Sequence, residues 1–176
     1  MAVGSVVYVS DTAAAPDPPI FSPEDDLDEL WVKAYQGEVL GELLFAGIAD
    51  GLDDPDHAAK MRVLATLEQR TKEATAPALE RAGISTQPDP ETQATATALL
   101  PAALGLAWRD LMGTLGPITA QFIPLYQRIG ELCPAERDTA ELLVAHEEAL
   151  RAFAQAEVDG AGATSLEPIT ALAHMR

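Results

Sequence analysis

A single cysteine, Cys133, excludes an internal disulfide and any thiolate cluster for zinc, and no histidine neighbours it to make a nucleophilic pair. Basic residues are scarce too. Eleven Lys and Arg face twenty-eight Asp and Glu, a formal charge of −17 that repels phosphate backbones and anionic lipid surfaces, so neither nucleic acid nor membrane is expected as a partner. Aromatic residues make up only 5% against 48% apolar residues, many of them Ala and Leu, which favours closely packed helices over an aromatic-rich sheet. No apolar run reaches the ~20 residues a bilayer needs: Ala94 to Ala107 contains Pro101 and ends at Trp108-Arg109-Asp110. Glycine-rich phosphate loops and His-Glu-x-x-His are absent. The early apolar run, Val6 to Val9, lacks preceding Lys or Arg and is too short for an export signal, so a cytoplasmic location is expected.

What remains is one mostly helical domain with a substantial core, which 176 residues suffice to build. Residues 1–22 carry a short β-prone run and Ala-Ala-Ala-Pro-Asp-Pro-Pro, the composition of an extended arm. Ser22-Pro23-Glu24-Asp25 then reads as an N-cap, a proline at the first helical position and an acidic first turn, opening a helix that runs to about Asp50. A second helix, capped by Asp56, spans about His57 to Ala82 and stops at Gly83. The spacing predicts a third helix in two pieces, roughly 91–112 and 118–132, broken by Gly113, Gly116 and Pro117. Pro134 opens a last long helix to Val158, with Gly160 behind it and a tail, 161–176, able to form one short helix. Two long pairs of this kind suit an antiparallel four-helix bundle over residues 23–160.

Four polar residues fall where apolar ones belong. At ~100° per residue, Glu38 and Glu42 lie within ~20° of the direction of Trp31 and share an arc with Ala34, Tyr35 and Phe45. Glu68 lies within ~40° of Leu64, and His146 lies ~40° from Leu142 and close to Phe153, while Glu147 and Glu148 rotate outward. An ionised carboxylate buried without a partner costs several kcal/mol, so such groups bind metal, pair with a cation or hydrogen bond, or stay protonated.

The segments Tyr35-Gln36-Gly37-Glu38-Val39-Leu40-Gly41-Glu42, Leu67-Glu68-Gln69-Arg70-Thr71 and Ala145-His146-Glu147-Glu148-Ala149-Leu150 resemble, in order and helix pairing, the ferritin-like four-helix-bundle superfamily from about Leu27 to Gly160. The resemblance implies an iron or manganese site with Glu38 or Glu42 from the first helix, Glu68 from the second and His146 from the last, and metal-assisted oxygen or redox chemistry in a homodimer. The pattern departs from that superfamily in three places. Thr71 stands where a ligand His belongs, no Glu lies at midlength in the third helix, and Leu143 replaces the acid three residues before His146.

Each residue also has a plainer reading. Glu38 and Glu42 can pair with Lys33, Arg62, Arg70 or Arg128, Glu68 with Arg70 or Lys72, and His146 can be a core histidine bonded to Glu, Thr71 or Tyr35. Trp31, Trp108, Phe122 and Tyr126 read as core packing, His57 as exposed, and His174 as uninformative. The corresponding function is a non-catalytic interaction or small-molecule-binding bundle with a metal-free buried polar network.

Overall fold

The computed structural model describes residues 20–175, and these are helical with no strand among them. The arm expected over 1–22 therefore lies outside the described residues except for its end, where Ile20 and Phe21 rest against the core. Helix α1, Leu27–Gly51, starts later than Ser22 and Pro23 suggested. Asp26 and Glu29 form a reciprocal capping box, which satisfies two orphan amides at once, and Ser22 to Asp25 folds into a turn ahead of it. Helix α2, Pro55–Ala82, is capped by Asp54, not Asp56: its carboxylate accepts from the Asp56 and His57 amides, with Pro55 in the first turn. It continues past Pro77 and ends at Gly83, whose φ of 74° needs a residue without Cβ.

The third helix expected from the sequence is three: α3 Pro90–Leu104, α4 Trp108–Ala120 and α5 Phe122–Leu132. The breaks come at Gly105 to Ala107 and at Gln121, while Gly113, Gly116 and Pro117 lie inside α4. Leu111, Met112, Leu115 and Thr119 recur at helical spacing and are buried, and that burial outweighs the ~1 kcal/mol per Gly and ~3 kcal/mol per Pro of intrinsic cost. A 3₁₀ turn, Pro134–Glu136, leads into α6, Arg137–Val158. The tail holds the short α7, Glu167–Ala171, and a second 3₁₀ turn, Ala173–Met175.

Helices α1 and α2 run side by side in opposite directions. Asp50 faces Arg62 near their turn, Glu42 pairs with Lys72 midway, and Tyr35 donates to the Thr86 carbonyl at the far end. Helix α3 packs on α1, where Cβ atoms at Gly47 and Gly51 would fall 2.9 Å from Leu100 and 2.7 Å from Leu104. Helices α4 and α5 pack on α6. The tail is pinned through Glu157, which accepts from Trp108 Nε1 at 2.8 Å, from Lys60 Nζ at 2.9 Å and from Ser165 Oγ. Ile169 is fully buried beneath it.

The apolar core falls into two clusters. One gathers Phe45, Ile48, Met61, Leu64, Leu67, Leu150 and Phe153, the other Leu30, Trp31, Val39, Leu79, Tyr126, Ile129 and Leu143. Along α2 and α6 the change from one cluster to the other comes at inward polar residues, and along α1 it falls between Val39 and Phe45, just past the inward Glu38, which places a polar layer between them. Among the described residues no helix is long and apolar enough to cross a membrane.

Candidate metal centre

The polar layer is built from four helices. Glu38 of α1, Glu68 of α2 and His146 and Glu147 of α6 are each at most 4% exposed, and Thr71 of α2 and Tyr126 of α5 are fully buried. Glu38 and Glu68 project inward for the reason the sequence gives: each shares the apolar arc of its helix. On α6 the inward stripe is Leu143, His146, Glu147, Leu150, Ala154 and Glu157, a spacing of three and four that turns both members of the His-Glu pair into the core.

Thr71 Oγ1 lies 2.9 Å from the Leu67 carbonyl, a bond one helical turn back, 3.0 Å from His146 Nδ1 and 3.1 Å from His174 Nε2. When its one proton goes to Leu67, its oxygen accepts from both rings, and a neutral His146 then carries its proton on Nδ1 and the lone pair on Nε2, at the far side of the ring. There it meets Glu38 Oε2 and Glu68 Oε2, both at 3.5 Å. The phenol of Tyr126 lies 2.9 Å from Glu38 Oε1 and 3.3 Å from Glu147 Oε1, and its single proton serves the nearer carboxyl. Glu38 Oε2 and Glu147 Oε2 are buried with no hydrogen-bond partner.

Glu38 and Glu68 also lie within hydrogen-bonding reach of each other, so two carboxyls and one imidazole converge, an arrangement that requires a shared proton or a cation. Burial supplies the first answer. It raises Glu38 well above the ordinary carboxylate value, against the opposing pull of His146. It likewise raises Glu147 well above that value, reinforced by Glu38 and Glu68, and pushes Glu68 up to about 8. Burial lowers His146 against the attraction of Glu38, which keeps the ring neutral, and raises Tyr126 so that its phenol stays protonated.

The second answer is a metal ion, and the donors fit one. Two ligands each ~2.1 Å from a common ion, at a near-tetrahedral angle, are ~3.4 Å apart, close to the spacing of His146 Nε2 from each carboxylate oxygen. Glu38, His146 and Glu147 each offer a ligand atom within 4.8 Å of the others. The Thr71 contact orients the ring and is compatible with the tautomer a ligand needs, and Tyr126 holds Glu38 from behind. Carboxylates with one imidazole and no thiolate suit iron, manganese or zinc.

Three of the four residues singled out from the sequence, Glu38, Glu68 and His146, come together here. Glu42 does not. It lies half-buried beside the cluster with its carboxylate turned to the Lys72 ammonium, one turn from Glu38 but on the side of α1 that faces the edge of α2. The outward turn expected of Glu147 is also overturned, because the inward direction of α6 runs through Leu143 and not Leu142. Tyr126 reads in sequence as ordinary core, and its neighbours give no signal of a polar role. His174 carries no sequence signal either, yet the tail brings it to Thr71, where Arg70 Nη1 also reaches its carbonyl at 3.4 Å. His57, expected to be exposed, stacks on Trp108 with ring centres 4.0 Å apart.

Fold and site together define an all-α protein with a buried carboxylate–imidazole centre. No family model, no curated protein and no solved structure matches this chain.

Proposed function

We propose that this protein binds iron or manganese through Glu38, Glu68 and His146, with Glu147 completing the set, and that the centre serves oxygen-dependent redox chemistry in a ferritin-like bundle. The observation that carries the reading is the convergence of His146 Nε2 on two buried carboxyl oxygens, each at 3.5 Å. Helices α1, α2, α5 and α6 each send a polar side chain into one interior layer, as such bundles do. Iron or manganese held there supplies one-electron chemistry toward oxygen.

The chain's own residues define the setting. Thr71 orients His146, and Tyr126 fixes Glu38 and can pass a proton between Glu38 and Glu147. The two apolar clusters flank the layer on either side. Glu42 and Lys72 form an ion pair at its edge, so a cation entering there meets a carboxylate before the buried ligands.

Metal content by mass spectrometry after loading with ferrous or manganous ion tests this. Wild type and Glu42→Gln are expected to hold stoichiometric metal, and Glu38→Gln and His146→Ala to lose it while keeping their helical circular dichroism. Wild-type protein that takes up neither metal would sink the proposal and leave protonated Glu68 and Glu147 in a metal-free hydrogen-bond network as the account of the layer.

A further inference from the structure

A cavity of about 420 Å³ opens from the surface between α1, α3 and α4 and reaches the polar layer. That volume lies in the range of small-molecule pockets. Its walls are aliphatic and aromatic, formed by residues such as Leu40, Leu44, Leu115 and Phe122, and its mouth by Leu99, Leu106 and Ile118, which are 42–52% exposed. The α1 wall is smooth because Gly37 and Gly41 leave room for neighbours: a Cβ would fall 2.6 Å from the Phe122 ring at the first and 2.8 Å from the Glu68 carboxyl at the second.

The polar lining is sparse and one-sided. Thr114 and Thr119 each donate to a carbonyl of their own helix, at 2.7 and 3.0 Å. The remaining polar groups are the buried carboxyls of Glu68 and Glu147, and Glu147 Oε2 has no hydrogen-bond partner. Among the described residues no Lys, Arg or His lines the cavity. An anionic head group would lose its water and gain no cation in exchange, whereas a neutral hydroxyl finds acceptors.

We propose that this cavity binds a neutral, mainly aliphatic small molecule whose single hydroxyl meets Glu147 and Glu68. That such a molecule is the substrate rests on the redox reading of the neighbouring centre, while its binding requires only the cavity. Titration calorimetry on the full chain at neutral pH, with hexanol, octanol, decanol and decanoate as probes, reads the inference directly. Affinity is expected to rise about tenfold for every two methylenes added, as buried CH₂ groups dictate. Decanoate is expected to bind at least tenfold more weakly than decanol. Ala102→Trp, at an exposed helical position on the lining, is expected to weaken decanol at least tenfold with helicity and metal content unchanged. An affinity flat along the alcohol series, decanoate as tight as decanol, or decanol binding untouched by Ala102→Trp would each overturn it. Metal measured on the same samples separates the two readings. Alcohol binding by a chain that takes up no metal keeps the pocket and removes the redox centre, and metal uptake without alcohol binding does the reverse.

Discussion

At the residue scale Thr71 does more than fill space. It touches both rings, His146 Nδ1 at 3.0 Å and His174 Nε2 at 3.1 Å. Thr71→Val keeps the shape and removes the hydroxyl, leaving two ring nitrogens short of a partner. The expected cost is about 1–3 kcal/mol of stability, measured by urea unfolding of metal-free protein. Metal affinity should fall about 10–100-fold, since the ring loses the contact that orients it. Titration follows from the same residues. Glu68 sits at about 8 in the fold against 4.5 ordinarily, so between those values the folded chain keeps a proton that the unfolded chain releases, and stability declines as pH rises. His146 and His174 are lowered from 6.5, so under that pH the unfolded chain gains protons the fold refuses, and stability declines on acidification. From pH 6.5 to 8 the carboxyls alone govern, and the urea midpoint of metal-free protein should fall. Metal uptake should strengthen over the same window because ligands must shed their protons.

At the scale of elements, α1 shows how a helix is fitted to a site. Gly41 faces Glu68 so closely that any side chain would displace the carboxyl. Gly41→Ala should leave helicity intact and lower metal retention, read by chelator competition; retention equal to wild type would show that Glu68 is not a ligand. Helix lengths were legible in the sequence wherever chemistry stops a helix sharply, as at Gly83 and Gly160, the two glycines with positive φ among the described residues. The α3–α4 break was not, because burial of Leu111, Met112 and Leu115 carries a helix through Gly113 and Pro117. Glu38, Glu68 and His146 were legible since each shares an arc with apolar neighbours. Glu147 was missed because the inward direction of α6 passes between it and His146, an angle that depends on how α4 and α5 press on the helix and not on α6 itself. Glu42 was misread because an arc wide enough to hold Glu38 also reaches the edge where Lys72 waits.

At the scale of the molecule, the polar layer divides the apolar interior into two bodies. Trp31 belongs to one and Trp108 packs against the other. Neither body is large; α1, α2 and α6 run through both, and the side-chain contacts between them without metal are carboxyls, one imidazole, one phenol and one threonine hydroxyl. An ion ligated from α1, α2 and α6 at once would fasten the two halves to a common point. Cooperativity in this chain is thus a property of the ligand state. Without metal, the fluorescence of Trp31→Phe and of Trp108→Phe protein should report different urea midpoints, each following its own half. With metal bound, the two curves should merge into a single transition.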